Sequence, residues 1–289
     1  MQSHRFWDRL LSASQVVHWR NVPVMIALGA GSILMLLPFL WMFSASMRPP
    51  GEAYRLPPTF LPDRLELEAY RSVLHSSIPF LKMYWNSFVV AAITTLGVVV
   101  SSAMAAFAFS RLQFAGNGVL FALLLLGLMV PPSLVLIPLY FGFGFAGLLD
   151  TLWALILPAI ASPLGVFMMR QFMAGQPREY EEAAFVDGAS YWTIFTRISL
   201  PQMGPPIAAL SIIVFTQSWN NFVIPLVLVR KFETMTLPVG LLALADQFGD
   251  FSLPAMMAAV SMAVIPLFIV FLIGQRFIIE GITSSGLKG

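Results

Sequence analysis

Six long stretches of this chain contain no Asp, Glu, Lys, Arg or His: residues 22–47, 83–110, 112–149, 151–169, 198–229 and 251–275. Placing a charge in hydrocarbon is costly, and a helix needs roughly 20 apolar residues to cross a bilayer. A chain that repeats such windows has few folds open to it. Only 10% of its 289 residues are charged, against about 25% in soluble domains, too few to cover a water-facing globule. The expectation is an all-α, polytopic membrane protein with six transmembrane helices, at about 22–47, 83–110, 118–140, 151–173, 202–229 and 254–277. The 112–149 window is long enough for two passes. However, Pro131, Pro132 and Pro138, followed by "FGFGFAGLLD", favour one kinked helix ending near Tyr140 and then a short turn. The first window exceeds the roughly 7–15 apolar residues of a signal sequence, so it reads as a retained span behind an N-terminal segment at 1–21.

Six spans put both termini on one side. Arg5, Arg9, Arg20, Arg111, Arg170, Arg178, Arg197, Arg276 and Lys288 then share that side, slightly more than half of the 16 lysines and arginines, which leans towards cytoplasmic termini. The outer loop at 48–82 is rich in proline, and "LELEAYRSVLHS" within it has the composition of a short surface helix. A second outer loop, 230–250, holds "TLPVGL" and the polar Asp246 and Asp250. Inside lie a loop at 174–201 and a tail at 278–289.

Several functions are excluded or disfavoured. No span interior carries an ionisable side chain, which argues against proton coupling, though sodium held by backbone carbonyls stays open. His4, His18 and His75 all fall outside the spans, leaving no acid–base pair at depth. None of the three lysines follows a glycine-rich phosphate loop. A net charge of +2 from scattered basic residues does not suggest nucleic acid, and with no cysteine there is neither a disulfide nor a thiolate metal site. Energy for uphill transport would therefore come from another subunit.

One segment is unlike the rest: "EYEEAAFVDGASYWTIFTRISLP", residues 179–201. Pro177 suits a helix start, and Glu179, Glu181 and Glu182 complement the positive end of its dipole. Gly188 is a natural left-handed terminator, Ser190 can cap a second helix, and Pro201 would stop it. The small face of Ala183 and Ala184 with Tyr191, Trp192 and Phe195 fits a docking partner. It fits equally a helix lying on lipid headgroups.

This segment closely resembles the EAA loop of binding-protein-dependent ABC importer permeases, through Glu182, Ala183, Ala184, Asp187, Gly188, Ala189, Ile198, Leu200 and Pro201. "WNSF", "MVPPSLVLIPLY", "SWNNFVIPL", "TLPVGL" and "GITSSGLKG" extend the resemblance to the carbohydrate-uptake, maltose-type branch, smaller permease subunit. One departure is Asn221, where the branch often has Asp. The resemblance implies a type I ABC importer fold in the cell (inner) membrane, with both termini cytoplasmic. It also implies a second homologous permease, an extracytoplasmic solute-binding protein, and two cytoplasmic ATPase subunits that bind ATP and Mg, with no cofactor on this chain. The 179–201 loop, including Tyr191 and Trp192, would be the coupling element of alternating access, and Ser284, Ser285 and Gly286 in the tail would reach the ATPase. A carbohydrate path would use Asn86, Gln217, Trp219, Asn220 and Asn221; the other role for these amides is to join helices. A sodium-coupled secondary carrier is the alternative function, and it leaves the 179–201 segment unaccounted for.

Overall fold

The computed structural model describes residues 22–49, 51–53, 59–248 and 253–286, with 276–286 as backbone only. It is helical, with no strand among the described residues. The organising element is α3, Phe80–Arg111, whose 32 residues span about 48 Å at 1.5 Å per residue. That exceeds the roughly 30 Å hydrocarbon core, so both ends of α3 reach beyond it. Its buried face is built of small and branched residues, among them Ala91, Thr94, Val98, Ser102, Ala103 and Ala106, which let neighbours approach closely. Arg111 ends it, where a cation complements the helix dipole.

Around α3 stand α1 (Val22–Ser46), α2 (Glu68–Leu74), α4 (Asn117–Leu126), α5 (Pro132–Phe145), α6 (Trp153–Ile160) and α7 (Pro163–Ala174). The chain continues through α8 (Glu179–Val186), α9 (Tyr191–Ile194), a π-turn (Phe195–Ser199), α10 (Leu200–Gln202), α11 (Gly204–Trp219), α12 (Val223–Leu228), α13 (Leu237–Phe248) and α14 (Leu253–Gly286). α3 packs against α6, α7, α11 and α13, while α14 packs against α1, α2, α11 and α13. Two packed cores result. One, at the Phe80 end, gathers Met83, Leu155, Trp219 and Leu237. The other, at the Arg111 end, gathers Phe107, Met169, Phe195 and Leu210.

Among the described residues, four helical units are long and apolar enough to cross a membrane: α1, α3, α6 with α7 as Trp153–Ala174, and α14 over Leu253–Gln275. The pair Tyr191–Gln202 and Gly204–Trp219 makes a fifth, bent by 76°. The third expected span is not one kinked helix. It breaks between α4 and α5, where Pro131 is extended and Pro132 opens the next helix, because neither proline has an N–H to continue the ladder. α5 then runs past Tyr140 to Phe145. The last helix likewise continues past 277, so residues expected in a tail are helical as far as Gly286.

At the Phe80 end the loops are tied down. Arg48 is buried and donates to the Thr59 carbonyl, and Glu52 accepts from Asp63 N at 3.0 Å, which folds the proline-rich segment back on itself. The loop that follows Arg230 contains α13, seated on α3. Ser87 Oγ accepts from Leu237 N at 2.7 Å, and Gly240 lies so close to Met83 that any side chain there would strike its sulfur. Asp150 holds a left-handed φ of 59° and joins two turns: its N–H donates to Leu228 O at 3.1 Å, and its Oδ1 accepts from Arg230 N at 2.6 Å and Lys231 N at 3.3 Å.

The Arg230 N–H bond, aided by the Lys231 N–H and both cationic side chains, outweighs desolvation and holds the Asp150 carboxyl below its ordinary pKa. A depressed carboxylate contributes stability above its unfolded pKa of about 3.9 and loses that contribution as pH falls through the folded value. The expected outcome is that the thermal-midpoint advantage of the wild type over Asp150→Asn, present at neutral pH, narrows on acidification below that range.

Candidate docking loop and polar cavity

The 174–201 segment forms a helix, a corner and a second helix at the Arg111 end of the bundle. α8 begins after Arg178, with Glu179, Glu181 and Glu182 in its first turn. Gly188 turns the chain at φ +82°, and nothing lies within 4 Å of where a Cβ would stand. Ser190 Oγ then caps α9 by accepting from Thr193 N at 3.2 Å. Pro201 does not stop the helix. Lacking an N–H for the Arg197 carbonyl, it follows a widened turn in which Leu200 N donates to Phe195 O, and the chain bends into α11 at Met203.

The loop has two faces. Outwards it shows Tyr191, Trp192 (63% exposed), Phe185 and Val186 (86% exposed), with Phe185 and Tyr191 rings 5.6 Å apart. Glu182, Ala183, Asp187, Gly188 and Pro201 are exposed with them. Inwards go Ala184, Ala189, Ile198 and Leu200, half-buried against the core at the Arg111 end, where they help to hold the loop in place. Phe195, expected among the aromatic anchors, is also buried, 5.3 Å from Phe107. Phe185 takes its place outside, a role its position before the glycine corner did not reveal.

Beneath the loop lie charges. Arg111 pairs with Glu181, their side chains only 5% and 11% exposed. Glu181 Oε1 also accepts from Ser199 Oγ at 2.8 Å, and Arg178 Nη2 donates to Ser110 O at 3.0 Å. Arg111, Arg178 and Glu181, with Glu182, Phe185 and Tyr191, line a groove of about 310 Å³. Sequence reasoning treated Glu181 as dipole support alone. The signal for its partner was Arg111, the lone charge between two apolar windows.

Midway along α3, between the two cores, lies a cavity of about 150 Å³. Gln217, Ser218 and Asn221 line it with Thr94, Ser162 and Thr236. Two of its groups have unusual status: Thr94 and Thr236 are 2% and 4% exposed, and neither Oγ1 has a hydrogen-bond partner within the protein. Buried hydroxyls are nearly always paired, which sets these two apart from the rest of the lining. Helix breaks frame the site: Ser162 Oγ caps α7 through Gly165 N at 3.1 Å, and Asn221 Oδ1 reaches Ile224 N of α12 at 3.4 Å. No Lys, Arg, Asp or Glu is among the lining residues.

Three of the expected path residues stand elsewhere. Asn86 is 1% exposed, and its amide donates to Glu233 O and Met235 O, both at 2.9 Å, so it ties the loop before α13 to α3 and lies outside the cavity lining. Trp219 is 2% exposed, donates Nε1–H to Ala263 O at 3.1 Å, and packs between Tyr84 and Phe215. Its indole is part of the core, not a platform for a sugar face. Asn220 is exposed at the end of α11, with Nδ2 on Thr216 O at 3.0 Å, outside the lining. Ser284, Ser285 and Gly286 lie on the final turns of α14.

A bundle of apolar helices with broken spans around a polar cavity and an exposed docking corner at one end is the architecture of a solute permease. Residues 97–284 match the family "binding-protein-dependent transport system inner membrane component", and the chain belongs to it. It is 34% identical over 260 residues to the arabinooligosaccharides transport system permease protein AraQ of Halalkalibacterium halodurans, covering 89% of this chain and 93% of that one. It is 33% identical over 277 residues to the trehalose/maltose transport system permease protein MalG of Thermococcus litoralis, covering 91% and 97%. Among solved structures it shares its fold with a chain of a bacterial ABC transporter involved in import of the acidic polysaccharide alginate, at TM-score 0.77 and 23% identity over 96% of this chain and 98% of that one.

The bonding of Asn86 and the position of Gln217 give opposite expectations. Asn86→Ala strands two carbonyls and lowers stability by about 1–3 kcal/mol, whereas Gln217→Ala stays within about 0.5 kcal/mol, both read by thermal unfolding in detergent.

Proposed function

We propose that this chain is the permease subunit of an ATP-driven, binding-protein-dependent importer for a carbohydrate, and that the 174–201 loop is its coupling element. The exposed corner of Phe185, Val186, Tyr191 and Trp192 around Gly188 carries the reading. Four large apolar side chains crowd a loop of short helices, rooted by buried contacts, which suits a cleft on a partner and not free solvent. In this reading the corner faces the cytoplasm, as do both termini. Two ATPase subunits bind ATP and Mg and receive the corner, Glu182 makes a polar contact across that interface, and the end of α14 with Ser284, Ser285 and Gly286 approaches it. A second, homologous permease completes the pathway, and an extracytoplasmic binding protein delivers the solute to the Phe80 end. The chain itself has no catalytic role.

The carbohydrate assignment rests on relatives named for arabinooligosaccharides and for trehalose and maltose, and on the chemistry of the cavity. Hydroxyls and amides without a charge suit a neutral, hydroxylated solute, with Gln217, Ser218, Asn221, Thr94 and Thr236 as hydrogen-bonding groups. A phosphorylated solute would call for cations that the lining lacks. A sodium-coupled carrier would have no use for the exposed corner.

Two measurements test this. Gly188→Val forces a β-branched residue into left-handed geometry at about 1–2 kcal/mol, with no steric clash. The assembled transporter should keep ATP hydrolysis and lose solute uptake; undiminished uptake would count against the corner. Thr94→Val and Thr236→Val break no bond within the protein, so they should keep the stability within about 1 kcal/mol while raising the KM of uptake. The solute is found by testing the binding protein against a panel of sugars.

A further inference from the structure

We infer that Arg111 and Glu181 form the transmission joint of the permease, a buried ion pair that makes α8 move as one body with α3. The inference rests on the reading of the loop as an ATPase dock and names how a push on that dock reaches the cavity. Ala184 of α8 rests on the core at the Arg111 end. The main backbone neighbours of α8 are α9 and the π-turn, while its polar links to α3 run through side chains. Those side chains are Arg111 with Glu181, and Arg178 on Ser110 O.

Besides the four residues 175–178 that join it to α7, there are two routes for a displacement of α8. One follows the chain through α9, the π-turn, α10 and the bend of 76° into α11. A widened turn and a sharp bend in series make a compliant route. The other crosses directly from Glu181 to the last residue of a continuous 32-residue helix. The second is direct, and it leads to the site: Thr94, Val98 and Val90 on α3 line the cavity, with Thr94 about 25 Å along the axis from Arg111. α3 also packs against α6, α7, α11 and α13, so its displacement is felt by most of the bundle.

The pair has the character of a joint. An exposed pair would be screened and would yield to water, whereas these side chains are 5% and 11% exposed. Glu181 is shared: one oxygen meets Arg111, and the other accepts from Ser199 Oγ of the π-turn, itself 4% exposed. A single carboxylate thus pins three elements at one point. Arg111 Nη2 adds a longer bond to Gln176 O at 3.4 Å, behind α8 in the chain. Glu181 is a positioning residue in this scheme, since it acts through α3 and touches no solute.

The chain has no cysteine, so Met104→Cys on α3 and Glu179→Cys on α8, both exposed, can carry spin labels without further changes. The pair is measured by pulsed EPR in the assembled importer in nanodiscs, without nucleotide and with ATP and vanadate. In the wild-type background the distance should be the same in both states. Adding Glu181→Gln, which keeps an acceptor for Ser199, should broaden it and make it nucleotide-dependent while ATP hydrolysis persists. The exchange Arg111→Glu with Glu181→Arg should restore the fixed distance, which a role in folding alone would not predict. A distance that shifts with nucleotide in the wild type, or one unmoved by Glu181→Gln, overturns the joint while leaving the dock intact. ATPase subunits that fail to co-purify with the wild-type chain overturn the dock, and the joint with it.

Discussion

Lipid offers no hydrogen bonds, so a helix that breaks at membrane depth must find partners for the backbone groups it frees. Much of this structure follows from that constraint. The chain interrupts its spans between α4 and α5, between α6 and α7, at the bend before α11, and between α11 and α12. Prolines, which have no N–H to strand, stand at Pro132, Pro163 and Pro201. Where an N–H is freed, a side chain meets it: Ser162 at the start of α7 and Asn221 at the start of α12. Both capping residues line the polar cavity, so the groups that make the breaks tolerable are the same groups that make the site hydrophilic.

The two cores have distinct work on either side of that site. The upper one, around Met83, Trp219 and Leu237, anchors the outer turns through Asn86, Ser87 and Asp150. The lower one, around Phe107, Met169 and Phe195, roots the docking loop. α3 belongs to both, and the cavity opens where neither fills the space. Arg170 reinforces the lower half by lying 3.9 Å over the Phe121 ring, holding α4 to α7 across a stretch where the chain is otherwise loosely joined.

The parts legible in the sequence were those set by local chemistry. Gly188 announces a left-handed corner and Ser190 a cap, because both act on neighbours within three residues. The membrane class follows from charge-free windows. What stayed hidden was which way a side chain faces in a helix apolar on all sides, since a uniform window has no periodicity to read. Trp219 and Asn221 sit two residues apart in "SWNNF", yet one is packed in the core and the other lines the cavity. Asn86 bonds to carbonyls 147 and 149 residues away, a pairing no local pattern encodes. Ile198 and Leu200 carry the family pattern through packing, so matching the motif did not reveal their direction.

A lining built from hydroxyls and amides has an electrical corollary. Moving one elementary charge across a membrane potential of 100 mV is worth about 2.3 kcal/mol, and voltage sensors exploit this with rows of arginine. Here the cavity lining presents no Lys, Arg, Asp or Glu to that field, and at the bundle's end Arg111 is paired with Glu181. At the cavity itself, membrane voltage therefore has no fixed charge to act on.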